Sequence, residues 1–299
     1  MPAIPIPRET LMHVVKAMPA APRILARLSK IRLDPNVDLD DVTSLIRVDA
    51  SLTARIIRVA NSTVYCRGQP YASLEQALAC VGFSEIYMIA SFAAMAEITD
   101  KNLKLYNLAG SRVRENSLLA ALILEALARP AGVDVHEAYS AGLLRSVGKI
   151  GLEGLVFTAG LLRSNLIGVW GQEHKGARTS TFGADLGLEL AAWETDVIGM
   201  NNCEAAEFIL NEWNFPKPIS AAIGTHYAPG LAVSGDGFQA LLNLAAGATD
   251  RLGFGLPGEQ SYWELSPEKY SAAGVTDKQL EAASERGFAR FQMLRTAVG

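Results

Sequence analysis

The 299-residue sequence predicts an all-α fold, a multi-helix bundle in which an N-terminal helical lobe packs on a second helical lobe. Three observations predict it. Apolar residues make up 49% of the chain while aromatics are only 7%. Leucine, alanine and isoleucine recur at three- and four-residue spacing, and alternating β-branched runs bounded by turn pairs are hard to find. A chain of this length and apolar content can bury a sizeable core.

After the proline-rich start, which ends at Pro7, a helix begins near Glu9, carries Leu11, Val14, Val15 and Met18, and stops before Pro19 and Pro22. The next places Ile24, Leu25, Leu28 and Ile31 on one face with Arg23, Arg27 and Lys30 more outward. Asp34-Pro35-Asn36 is a turn, and Asp38 caps a helix with Val42, Leu45 and Ile46. In DASLTARIIRVANS, residues 49–62, Leu52, Ile56 and Val59 form one apolar stripe flanked by Arg55 and Arg58. Asp49 or Ser51 is the cap. Ser73 with Gln76 makes a capping box for a helix ended by Gly82. From Ser84 to Ile98 the small residues Ala90, Ser91, Ala93, Ala94 and Ala96 predict a central, closely packed helix.

A long helix spans Ser111 to Ala128, broken by Pro130 and Gly132. Asp134 caps the next, which carries His136, Tyr139 and, as one helix, AGLLRSVGKI at 141–150. That helix presents a guanidinium, Arg145, and a hydroxyl, Ser146, where a core helix needs neither. The tetrapeptide LLRS at 161–164 is a chance recurrence, and 163–181 is a polar loop anchored by Trp170. Helical patterns resume over 186–193, 203–213, 219–226 and 238–252, with a turn at 235–237 and a loop at 253–258. Ser266 and Thr276 start the last two helices.

The net charge of −4 and pI near 5.7 argue against direct DNA binding. Three separated cysteines, Cys66, Cys80 and Cys203, make neither a disulfide framework nor a metal knuckle and suit a reducing, cytoplasmic setting. The start MPAIPIPRET lacks a signal-peptide core, and the longest mostly apolar run, 86–98, is too short for a bilayer, so no membrane association is expected. The four histidines, His13, His136, His174 and His226, fall in no metal-ligand spacing, and neither a nucleophile elbow nor a phosphate loop occurs.

Several ordered motifs over about residues 15–250 nevertheless resemble the HDOD family, an all-helical output domain of bacterial signalling related to HD-type metal phosphohydrolases. Met18–Ile24 is similar to its leading proline-containing element. Asp49, Leu52, Thr53, Ala60, Asn61 and Ser62 match its D-P-x-L-T…A-N-S signature, with Ala50 in place of proline. Residues 73–82, ending at Gly82, resemble the following helix, and AGLLRSVGKI resembles A-G-L-L-H-D-[IL]-G-K. Trp213-Asn214-Phe215-Pro216 resembles W-N-L-P, and His226-Tyr227 stands where a His-His pair is common. The resemblance implies an HDOD-like domain over 15–250, divided into lobes at 15–108 and 109–250. Residues 1–14 and 251–299 are then extensions, the second helical.

In HD phosphohydrolases, the resemblance implies, a His-Asp pair with an earlier His, later histidines and a distal Asp holds metal. Here Arg145-Ser146 replaces the pair, Asn116 stands near the earlier His, and Ala246 near the distal Asp; His226 alone remains. A guanidinium has donors and no lone pair, so it repels a cation rather than ligating one. The expectation is a non-catalytic signalling module that binds signalling proteins, with no metal and no cofactor. One alternative is a sensor whose former metal pocket, lined by Arg145, Ser146, Lys149, Asn116 and His226, takes a nucleotide or cyclic dinucleotide. A residual phosphodiesterase using His226 is another.

Overall fold

Helical periodicity becomes helix throughout the computed structural model, which describes residues 8–31, 38–66, 68–158, 181–183, 189–228 and 237–298. Among the described residues there is no strand, only a single bridge between Leu103 and Leu108. The helices up to residue 98, called the first lobe by chain order alone, are α1 (Arg8–Ala17), which packs on a later helix at 147–158, then α2 (Ala21–Ile31), α3 (Leu39–Arg47), α4 (Ala50–Ala60), α5 (Leu74–Val81) and α6 (Phe83–Ile98). Helix α6 is buried almost all round, and its small residues let α2, α4 and α5 pack on it.

The second lobe is built on α7 (Gly110–Ala131), α8 (Val135–Leu144), α9 (Val147–Thr158), α10 (Leu190–Ile198), α11 (Asn202–Glu212), α12 (Lys217–Thr225) and α13 (Gly237–Thr249). A π-turn, Asp250–Phe254, and a short 3-10 turn, Gln260–Trp263, lead to α14 (Pro267–Ala273) and α15 (Asp277–Val298). Helix α7 is the central post of this lobe, with α8, α13 and α15 packed along it. A contact between the lobes runs from α6 to α8 through a 2.7 Å hydrogen bond joining Tyr87 Oη and Ser140 Oγ.

The matched signature residues of the first lobe build local structure. Asp49 caps α4 by accepting from the Leu52 N–H at 2.9 Å, and the Thr53 hydroxyl donates back to the Asp49 carbonyl. Leu52 is fully buried. Asn61 clamps the following loop, accepting from the Tyr71 N–H at 2.7 Å and donating to the Tyr71 carbonyl at 2.9 Å. Ser62 uses its backbone carbonyl to accept from Tyr65 and Cys66. Gly82, at φ +89, turns the chain between α5 and α6 where a side chain would be strained.

The structure corrects several local expectations. The stretch 141–150 is not one helix: α8 ends at Leu144, Arg145 and Ser146 form a turn, and α9 starts at Val147. The break sets Gly148 against α11, where a Cβ would lie 1.8 Å from the Asn202 carbonyl oxygen. Helix α7 runs through Pro130 and stops at left-handed Gly132, because a proline in a last turn forfeits only one hydrogen bond. The box at Ser73 is half formed, since the Gln76 side chain accepts from the Ala72 N–H instead. The turn at 34–36, the second LLRS and Trp170 lie outside the described residues.

Candidate functional site

The turn between α8 and α9 is held deep in the second lobe by two close backbone approaches. Gly142 packs on α7, where a Cβ would sit 2.6 Å from the Ala121 Cα, and Gly148 packs on α11. Arg145 and Lys149 are thereby driven inward, each only 1% exposed. Burying two cations is unfavourable by several kcal/mol each unless they are paired and hydrogen-bonded.

Their partner is Glu259, fully buried at the end of the loop after the π-turn. Its Oε2 lies 2.9 Å from Arg145 Nη2 and its Oε1 lies 2.6 Å from Lys149 Nζ. The Tyr227 hydroxyl donates to the same Oε1 at 2.5 Å and accepts from Lys149 Nζ at 2.7 Å. Arg145 Nη2 also donates to Asn116 Oδ1 at 2.6 Å, and the Asn116 amide donates to the Phe254 carbonyl at 2.7 Å. The Arg145 guanidinium lies 5.5 Å from the Trp263 ring, and Lys149 Nζ lies 5.3 Å from the ring of Tyr227.

Burial alone would raise the Glu259 carboxyl, but the charges and hydrogen bonds of Arg145 and Lys149 outweigh it and hold the group well below the usual carboxylate range. His226, fully buried beside them, is pushed down to about 3 by burial and then by the Arg145 charge. It is therefore neutral, and the 2.7 Å contact from its Nδ1 to the Ile223 carbonyl puts the proton on Nδ1. Its Nε2 is a lone-pair acceptor with no hydrogen-bond partner.

A second buried carboxylate adjoins the cluster. Glu194 accepts from the Tyr106 hydroxyl at 2.8 Å and from the backbone and side-chain amides of Asn202 at 2.7 and 2.8 Å. Burial raises its pKa, against the opposing charge of Lys149.

Of the residues singled out in the sequence, Arg145, Lys149 and Asn116 meet through Glu259, and His226 lies against the aromatic wall, its ring 6.0 Å from that of Trp263. Ser146 is buried, but its hydroxyl has no hydrogen-bond partner. Sequence reasoning missed Glu259, Trp263 and Glu194. The 253–258 glycines mark a loop without saying where it folds, so nothing in the sequence points Glu259 inward.

The donor set does not fit a divalent metal. Two buried cations stand at the place, the carboxylate there is engaged by both of them, and among the described residues His226 Nε2 is the one buried histidine nitrogen left free. Among the described residues no group of three or more histidine, cysteine or carboxylate side chains could hold a metal ion.

Comparison with known proteins matches the HDOD domain model to residues 18–156. An uncharacterized protein of Treponema pallidum (strain Nichols) is 20% identical over 287 residues, 94% of this chain and 51% of that protein. The chain thus spans about half the length of the curated relative it matches. Its fold is similar to that of an HDOD domain protein of unknown function from Geobacter sulfurreducens, at 21% identity and a TM-score of 0.67, covering 98% of both chains. It is also similar to a structure from Marinobacter aquaeolei VT8 named as a signal transduction protein, at 18% identity and a TM-score of 0.68, covering 98% of this chain and 65% of that one. A Shewanella amazonensis SB2B structure, named provisionally as a phosphohydrolase, shares the fold at 18% identity and a TM-score of 0.65, covering 97% and 98%. The resemblance read from the motifs is thus matched by the HDOD domain model over residues 18–156, and an HDOD domain protein shares the fold.

Proposed function

We propose that this protein is a cytoplasmic, bacterial signal-transduction module that acts by binding partner proteins and hydrolyses no phosphate ester. The observation that carries this reading is the buried Arg145–Glu259–Lys149 cluster, which puts two cations where a metal centre needs neutral or anionic ligands. Without such ligands no bound water is acidified to attack a phosphate. The signalling name of the Marinobacter structure, which shares the fold, agrees with it. The test is turnover of bis(p-nitrophenyl) phosphate with added manganese, together with the metal content of purified protein. The expected result is no turnover and no stoichiometric metal. Turnover that is lost in His226→Ala would instead establish a residual phosphodiesterase.

A second reading, a small-ligand sensor, is favoured by one observation. Arg145 Nε and Nη1, the Ser146 hydroxyl and His226 Nε2 are all buried without hydrogen-bond partners. Native interiors rarely leave that many polar atoms unmatched in one neighbourhood. Calorimetric titration with nucleotides and cyclic dinucleotides tests it: saturable binding weakened in Arg145→Gln supports a sensor, and no saturable heat with the wild type removes it.

A further inference from the structure

Two sequence features that the buried cluster leaves unused meet on the surface. Helix α2 carries Arg23, Arg27 and Lys30 at i, i+4 and i+7 and contains no acidic residue. The Trp213-Asn214 pair closes the end of α11. Together with Glu212 and the small side chain of Ala26 they line a groove of about 150 Å³.

The groove is electrostatically unbalanced. Among the described residues no carboxylate lies within ion-pair distance of any of its three cations; Arg23 Nη2 donates to the Val15 carbonyl at 2.8 Å, and Arg27 and Lys30 are exposed. Glu212 is the one acidic group of the lining. A second observation is independent of charge. Trp213 is 2% exposed, yet its indole N–H has no acceptor. A buried donor left unmatched costs about 1–3 kcal/mol, and Trp213 is itself one of the residues that line the groove.

We propose that this groove is a docking site for an acidic peptide segment of a partner protein, with a carboxylate entering beside Trp213 and further carboxylates meeting Arg27 and Lys30. The chemistry favours a peptide over other anions. Cations seven residues apart on a helix extend over about 10 Å, a rail suited to successive side chains and too long for a single phosphate. A nucleic acid draws its affinity from about 6–10 phosphate contacts, and three cations beside a carboxylate supply too few. The groove lies apart from the buried cluster, so this proposal and the absence of hydrolysis stand or fall separately.

The experiment titrates the ¹⁵N-tryptophan-labelled 299-residue chain with an acetylated hexapeptide of alternating Asp and Glu, reading the indole N–H resonances. Trp213 is assigned from its loss in Trp213→Phe. Parallel titrations use the Asn/Gln hexapeptide, inorganic phosphate and a single-stranded DNA hexamer. A saturable shift of the Trp213 resonance by the acidic peptide alone is expected, weakened by 0.5 M NaCl. Arg27→Glu with Lys30→Glu should weaken binding about tenfold or more. Both residues are exposed, so that variant is expected to keep its fold, checked by circular dichroism, with Arg27→Gln and Lys30→Gln as the milder pair. Trp213→Phe, followed by peptide fluorescence anisotropy, should weaken binding severalfold. No saturable shift, binding indifferent to removal of Arg27 and Lys30, or tighter binding of the DNA or of phosphate would each overturn the proposal.

Discussion

At the scale of single residues, Glu259 governs the second lobe's interior because it is the anion that two buried cations share. Glu259→Gln leaves Arg145 and Lys149 without a charge partner, and breaking a buried pair in this way costs about 3–5 kcal/mol. Urea unfolding at pH 7 should show that loss. The pH dependence has a definite sign. A carboxyl held below its ordinary range stabilises the fold fully above the unfolded-state value of 4.5, and the contribution is lost as pH falls below it. The gap between wild type and Glu259→Gln should therefore narrow below about pH 4.5. His226 acts over a different window. With its folded pKa at about 3 against 6.5 unfolded, the unfolded chain binds a proton that the native ring refuses. Wild-type stability should fall by about 1.4 kcal/mol per pH unit as pH drops through that range. His226→Asn, which keeps a donor for the Ile223 carbonyl, should show a shallower slope by that amount in unfolding measured from pH 6 to pH 4. Arg145, Lys149, Asn116 and His226 were legible in the sequence as polar residues in apolar or motif contexts. Glu259 was not, because its burial depends on a loop path that local pattern does not encode.

At the scale of elements, most helices were legible from apolar residues at helical spacing, and several also from a side-chain cap, as Asp38 with Val42, Leu45 and Ile46 illustrates. The break at Arg145-Ser146 was not, because local pattern favours continuing the helix while a tertiary contact decides against it. Gly148 makes that contact possible, and its substitution tests the account. In Gly148→Ala the new methyl would sit 1.8 Å from a backbone oxygen of α11, which cannot swing aside as a side-chain tip can. The expected loss is about 3 kcal/mol or more, with a displaced α9 and a disturbed Lys149. Gly132→Ala is the contrast: nothing lies within 4 Å of the added carbon, and φ of +71 is the whole penalty, about 1 kcal/mol. Comparable losses in the two variants, by urea unfolding, would mean that the α9–α11 approach does not set the break.

At the scale of the whole molecule, the terminal helix bears on the buried cluster although the matched family model ends at residue 156. Helix α15 packs along α7, with Gly287 so close that a Cβ would meet the Ile123 backbone at 3.0 Å. It buries Leu280, Ala283, Phe291 and Leu294, and Arg290 bridges Glu125 of α7 at 3.1 Å and Glu85 of α6 at 2.7 Å. Phe291 stacks edge-on against Phe254 at 4.9 Å, and the Phe254 carbonyl is the acceptor that fixes Asn116 against Arg145. A chain ending at Gly274 would lose that stripe and expose the face of α7 and the Phe254 ring that it covers. Each large apolar side chain is worth about 1.5–3 kcal/mol, so the three largest carry about 5–9 kcal/mol, comparable with the whole stability of an ordinary domain. The shortened protein should keep much of its far-ultraviolet helical signal, lose near-ultraviolet signal from its packed aromatics, bind anilinonaphthalene sulfonate and unfold without a sharp transition. A cooperative transition within a few degrees of the full chain's would show that the second lobe closes without α15, and that the route from Phe291 through Phe254 and Asn116 to Arg145 supports nothing.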